Sequence, residues 1–394
     1  MNRSFRTAVV GLGGIGSAAL YWSAASEPGV VGFERFDLGH GRGASQDHSR
    51  IIRLAQHEEP YASLAPAAYE AWAHVEAASG QRLLTRTGGL VIEDVAARAG
   101  LDTGSRNIGG YTAMFDRHGV EYELWSAERA AERFPQFRFG GGEQVLWQAE
   151  SGIVDAARAN AVHLALARAH GAEVRARTPV RKLVPTAAGV EVVTDTETCL
   201  VERVILTADA WTNELLPDGE PPFPLLVTQE QVTYYATPHL KEFSPANFPV
   251  FMWHGEHNFY GFPVYGEVAT KLGQHLGGHP VTADGRTFEA DPVRRERQRE
   301  FLAEHVPGFL GPELYTKTCL YTIPPDQNFI LGSLRTDPRV TVFVGAGHAY
   351  KFASLMGRVL AELSATGTTA HPVGAFGLDR AALNDPGFAA RYHR

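Results

Sequence analysis

The 394-residue sequence predicts an α/β protein in which a nucleotide-binding sheet is interrupted by a second domain of mixed β-sheet. Three observations predict it. A strand, glycine loop, helix and second strand open the chain. A strand-rich stretch punctuated by Pro, Gly and His runs from Phe223 to Ile323, and a strand, glycine loop and helix return near the C-terminus. Helices that alternate with strands cover a sheet on both faces, and a simple two-block protein would not need the C-terminal return.

The first strand is the apolar run Phe5 to Val10. Gly11-Leu12-Gly13-Gly14-Ile15-Gly16 follows, then a small-residue helix from Ser17 to Ser26, a turn at Glu27-Pro28-Gly29, and a second strand, Val30 to Phe33, ending on Glu34. Each part has a physical job. Gly11 makes the tight turn, Gly13 lets backbone approach a pyrophosphate, and Gly16 lets helix pack on strand. Gly14 and Ile15 complete the cofactor-binding loop, and the helix N-terminus that follows has unpaired N–H groups and a partial positive charge that suit phosphate. Glu34, eighteen residues past Gly16, is placed to accept hydrogen bonds from a ribose, with Arg35 beside it in the cofactor site. These residues predict a dinucleotide, either NAD or FAD. Thr7 to Ser26 is uncharged and follows Arg3 and Arg6, as in a secretory signal, but its four glycines and the strand that needs it as a partner assign it to the fold.

Composition agrees. With 44% hydrophobic and 20% charged residues, the chain can bury a large core in two domains. Its 36 basic and 44 acidic side chains leave a formal net charge of -8 with no basic tract, which argues against a nucleic-acid partner. No other stretch approaches a membrane-spanning length without charge. Cys199 and Cys319 are too far apart to suggest a disulfide framework or zinc site, so a soluble cytoplasmic protein is expected.

Farther along, Tyr61 to Gly80 reads as one helix, with Leu64, Ala68, Trp72 and Val75 on one face. Thr87 to Ile92 reads as a turn into a strand, Ser126 as the cap of a short helix, and Asp155 as the cap of an Ala-rich helix running to His170. Strands are expected around Val174, Val190 to Val193, Val204 to Leu206, Val232 to Tyr235, Phe259 to Phe262 and Val340 to Val344, with a last helix from Phe352 to about Ser364.

Four polar groups remain. Arg50-Ile51-Ile52-Arg53 presents guanidinium forks suited to a carboxylate. Tyr260-Gly261-Phe262-Pro263 leads to Lys271 and His275; His254, His257 and His279 lie nearby, but no acid or cysteine completes a zinc ligand set, so no metal is expected. Cys319-Leu320-Tyr321-Thr322 precedes Asp326, and Gly347-His348-Ala349-Tyr350-Lys351-Phe352 leads into the last helix.

Together with Ser49 before Arg50, these motifs follow the order and approximate spacing of one family. The chain resembles, nearly end to end, the monomeric sarcosine oxidase and N-methyltryptophan oxidase family of flavoproteins. The resemblance implies a glutathione-reductase-like, Rossmann-type FAD domain formed by residues 1–85, 150–220 and 318–394, and a substrate domain formed by 86–149 and 221–317. It implies FAD bound covalently through Cys319, with Gly347, His348, Ser49 and Lys351 also at the cofactor. Lys271 matches the lysine that activates oxygen, and Arg50 the arginine packed on the flavin. Arg53 and Lys351 match the pair that grips the substrate carboxylate, while Tyr260, His275 and Tyr321 line the pocket. The implied reaction oxidises a secondary amino acid with O2, in a protein expected to be a monomer without membrane or nucleic-acid partners. Three places depart from the family pattern: Ser45-Gln46-Asp47-His48 replaces a pattern closer to Ser-His-Gly-Asp, while Asp209 and Ala349 each replace a glycine.

Overall fold

The computed structural model describes residues 4–101 and 103–392, so Arg3 and the outermost ends of the expected FAD segments lie outside the described residues. Strand β1 (Ser4–Val10), helix α1 (Gly14–Ser26) and strand β2 (Val30–Phe33) form the expected unit, with β1 and β2 parallel. The helix begins at Gly14, three residues earlier than the sequence suggests, because the glycine loop supplies its first turn.

Strand Thr198–Leu206 lies parallel to β1 on the side away from β2. Its outer edge is shared: Gly189–Thr194 pairs antiparallel with its first half, and Val340–Val344 pairs parallel with its last three residues. Val180–Thr186, Glu173–Arg175 and Ile330–Ser333 complete this eight-stranded sheet. Helix α1 packs between Ala156–Ala169 and Ala353–Thr366. At the second contact the backbones nearly touch, since a Cβ on Gly357 would lie 2.5 Å from the Ala18 carbonyl carbon.

The second sheet has nine strands, and Leu226–Tyr235 pairs along its length with Glu313–Ile323, which runs across the expected boundary at 317/318. Asn258–Phe262 and Thr270–Gln274 form a hairpin on the other side. A small third sheet joins Arg50–Ile52, Gly152–Val154 and Leu84–Arg86. Aromatic residues dominate the core packed on the second sheet, where Phe137, Phe243, Phe248, Phe251 and Phe309 pack together. No helix among the described residues is long and apolar enough to cross a membrane.

The expected single helix over residues 61–80 is corrected to two, Glu59–Ala62 and Ala65–Ser79. Pro66 cannot donate to the Ala62 carbonyl four residues back, and its ring crowds that oxygen, so the helix stops and restarts. Gly80 ends the second piece in the left-handed region, at φ 66°. Ser126 and Asp155 cap as expected, each side chain accepting from the amide three residues on.

Candidate functional site

A cavity of about 1030 Å³ is lined by residues from the glycine loop, the third sheet and the second sheet. At its nucleotide end, Gly11 turns at φ +89°, where a Cβ would come within 2.7 Å of the Thr207 carbonyl oxygen. A Cβ on Gly16 would lie 1.7 Å from the Gly11 oxygen, so close packing of helix on loop admits only glycine there. Gly11, Gly13, Gly14 and Ile15 line the cavity, with Gly16 behind them. The first turn of α1 holds no acidic residue to offset its positive end, and the Gly14 amide donates to Ser45 Oγ at 2.8 Å.

Buried Glu34 accepts from the Leu12 and Phe36 amides at 2.9 and 3.0 Å and lies 3.2 Å from His40 Nε2. Burial opposes its charge, but His40 and the two amides hold its carboxyl below the ordinary value. Arg35 stacks over Phe36 and Trp211 and pairs with Asp284 at 3.0 Å on the rim. Asp209, at φ 46°, accepts from Thr322 Oγ1 at 3.1 Å, and burial pushes its carboxyl up to about 6.

Midway along, the hairpin register sets Lys271 opposite Tyr234 on one side and Phe262 on the other. Its Nζ lies 4.5 Å from the Phe262 ring centre and donates to Ser49 O at 2.9 Å and Ser49 Oγ at 3.1 Å. Ser49 itself is buried behind the wall. Asp47 Oδ2 sits 2.6 Å from Lys271 Nζ and 3.3 Å from Arg50 Nη1, and its Oδ1 accepts from the Tyr234 hydroxyl. Burial alone would raise the Asp47 carboxyl, but these two cations hold it far below the usual range. Burial draws Lys271 down to about 8, with Asp47 opposing the shift. Cys319 is unpaired with any other cysteine and lines the same wall. Burial raises its thiol to about 11 against the pull of Arg50 and Arg286.

At the far end, Arg53 and Lys351 face the cavity. Arg53 lies 5.6 Å from the Tyr111 ring centre, and its buried Nη1 has no hydrogen-bond partner among the described residues. Among the described residues, Lys351 Nζ donates only to the His348 carbonyl, at 2.6 Å, and burial beside Arg53 lowers its pKa well below the ordinary value. Tyr260 reaches in because a Cβ on Gly273 would meet its ring at 2.5 Å; Gly347, at φ +77°, makes the same room for Tyr321. The His275 and Tyr321 rings lie 5.9 Å apart. His348 Nε2 sits 3.1 Å from the Gln327 oxygen, and burial lowers its pKa to about 3. His57 and His254 line the same end, drawn by burial to about 2 and about 3. Among the described residues, no group of three or more His, Cys, Asp or Glu is arranged to hold a metal ion.

The glycine loop that admits no Cβ, buried Glu34 after β2 and the large cavity they open into are residues that would hold FAD. Residues 6–363 match the family described as FAD dependent oxidoreductase. The chain belongs to that family. A monomeric sarcosine oxidase from Streptomyces avermitilis is 30% identical over 389 residues, covering 95% of this chain and 97% of the relative. An N-methyl-L-tryptophan oxidase from Yersinia pestis is 28% identical over 381 residues, covering 94% and 98%. The solved open form of NikD, an unusual amino acid oxidase essential for nikkomycin biosynthesis, matches with a TM-score of 0.83 at 27% identity over 95% of this chain and 97% of that one. These relatives bear out the resemblance drawn from the motifs and the α/β fold with its mixed sheet.

Within this FAD dependent oxidoreductase, sequence reasoning missed Ser45, His57 and Arg106 as parts of the wall, and Tyr234 and Arg286 behind it, bonded to Asp47 and to Thr318. Asp47 carried one signal, its departure from the family pattern. Tyr234 carried only strand alternation, which shows a shared face and not a partner.

Proposed function

We propose that this protein oxidises the C–N bond of a secondary amino acid, N-methyl or cyclic, with O2 as acceptor, giving an imine that hydrolyses to aldehyde and amine, and hydrogen peroxide. The carrying observation is a pair of buried cations that, among the described residues, lack partners: Arg53 with an unpartnered Nη1 and Lys351 bonded only to a carbonyl. Neither has an acidic partner among the described residues. Buried charge without a counter-ion is costly, and a substrate carboxylate supplies what the protein leaves out.

FAD, when bound, supplies the two-electron acceptor and the onward route to O2. The chain's own residues supply position and charge. Arg53 and Lys351 fix the carboxylate, which holds the α-carbon in one pose, and such orientation is where much of the rate gain lies. Tyr260, Tyr321 and His275 close the pocket around the amine. The buried His275 resists protonation, its pKa drawn well below the ordinary value by burial and nearby Arg106, so it adds no positive charge against an amine. Arg50 and Lys271 place positive charge beside the cofactor, where a cation stabilises negative charge developing on oxygen. Cys319 is assigned the covalent cofactor bond.

The test is a peroxide assay across N-methyl, cyclic and glycated amino acids, each paired with its carboxamide. The acids should turn over and the carboxamides should not. Arg53→Met should weaken substrate binding by about 2 to 5 kcal/mol while leaving FAD content unchanged. Equal turnover of acid and carboxamide would overturn the reading. A dehydrogenase that avoids O2 is a second reading favoured by one observation, the carboxylate of Asp47 against Lys271. Peroxide formed per substrate oxidised separates the two.

A further inference from the structure

We propose that Asp47 is a positioning residue for Lys271, holding its ammonium charged, fixing its direction and offsetting its field at the cofactor, so that the lysine acts as one half of an ion pair. This rests on the reading that Lys271 promotes the reaction with O2.

The geometry is closed on the lysine side. An ammonium has three N–H donors, and all three are taken, by Asp47 Oδ2 at 2.6 Å, Ser49 O at 2.9 Å and Ser49 Oγ at 3.1 Å. Lys271 therefore has no spare proton for a ligand and influences the cofactor through its charge. Both side chains are almost fully buried, Lys271 at 2% exposure and Asp47 at 4%.

The carboxylate is held from every side. Tyr234 donates to Oδ1 from strand Leu226–Tyr235, the His48 amide donates to the same oxygen at 2.9 Å, and Lys317 approaches within 3.7 Å from strand Glu313–Ile323. Arg50 closes in at 3.3 Å, and the Asp47 carbonyl accepts from Ala157 at the head of a helix. On the lysine's other faces are the Phe262 and Tyr234 rings, while Arg50 and Cys319 are the further titratable groups that act on it. Asp47 is the only acidic side chain paired with Lys271 among the described residues.

Two consequences follow. A buried ammonium stripped of its counter-ion gives up its proton more easily, so loss of the carboxylate should bring the high-pH fall in oxygen reactivity to lower pH. Below that fall, the uncompensated cation should draw anions to the cofactor more strongly.

The test uses flavin-loaded wild type, Asp47→Asn, Lys271→Met and the double variant. Two quantities are read: the pH profile of reoxidation by O2 after anaerobic reduction, and the dissociation constant for sulfite, followed by bleaching of the visible flavin band. Asp47→Asn should move the high-pH limb to lower pH by about one unit and tighten sulfite binding at low pH by about tenfold. Both changes should vanish when Lys271 is already Met. An unmoved limb with unchanged sulfite affinity, or equal changes in the Lys271→Met background, would overturn the proposal. Where the amide prevents cofactor loading, Asp47→Ser removes the same charge in less volume and carries the same expectations. Failure of every amine to reduce the flavin would sink the proposed reaction, while the sulfite arm would still test Asp47.

Discussion

Cys319 shows what one side chain's surroundings ask of its chemistry. A thiolate is the nucleophile in sulfur chemistry, yet burial raises this thiol to about 11 and keeps it neutral near pH 7. Arg50 and Arg286 work against that burial. Arg286 also clamps the strand, donating to the Thr318 carbonyl and, at 2.8 and 3.1 Å, to the Thr318 hydroxyl. If Cys319 bonds the flavin, acid-precipitated protein stays yellow and Cys319→Ser releases the colour to the supernatant. Attachment in apoprotein given FAD should then quicken about tenfold per pH unit while the thiol stays mostly protonated. Colourless precipitate from the unmodified protein would refute the assignment. The motif made Cys319, Lys271, Arg53 and Lys351 legible as residues. Asp47 stood out only as a departure from the family pattern, and Tyr234 and Arg286 were not legible, because they reach the site through strand register and loop packing that no local pattern encodes.

Glycine and aromatic residues are matched across elements. Gly273 lies opposite Tyr260 in the hairpin register, and the missing Cβ is the space the phenol ring fills. Gly273→Ala should therefore displace Tyr260, costing about 1 to 3 kcal/mol of stability through overpacking and raising KM for the amine. Thermal melting and steady-state kinetics check this, and an unchanged KM would remove Tyr260 from the pocket. Helix and strand positions were mostly readable because hydrophobic runs and caps are local signals, as at Ser126 and Asp155. The split at Pro66 was readable too, and was missed because the apolar face from Leu64 to Val75 continues the period past the break.

Over the whole molecule, buried neutral histidines tie stability to pH. His163 is fully buried, stacked at 6.1 Å on Tyr21 and 5.4 Å from Trp72, and its Nδ1 has no partner among the described residues. Burial lowers its pKa from 6.5 to about 3. Between those values the unfolded chain binds the proton and the folded chain does not, so stability falls as pH drops below 6.5. His163 alone should remove up to about 1.4 kcal/mol per pH unit. Asp209 acts in the opposite sense, since its raised carboxyl takes up a proton in the folded state first. Urea unfolding from neutral to acid pH should show an acid slope that loses about one proton in His163→Phe, and an unchanged slope would exclude this histidine as a source. The topology also sets an order in time. Strand Val340–Val344 joins Thr198–Leu206 only after the intervening second sheet has been synthesised. On the ribosome, Thr198–Leu206 thus waits with part of its edge open, and the cofactor cavity cannot close until the Gly347 to Lys351 segment of its wall has emerged.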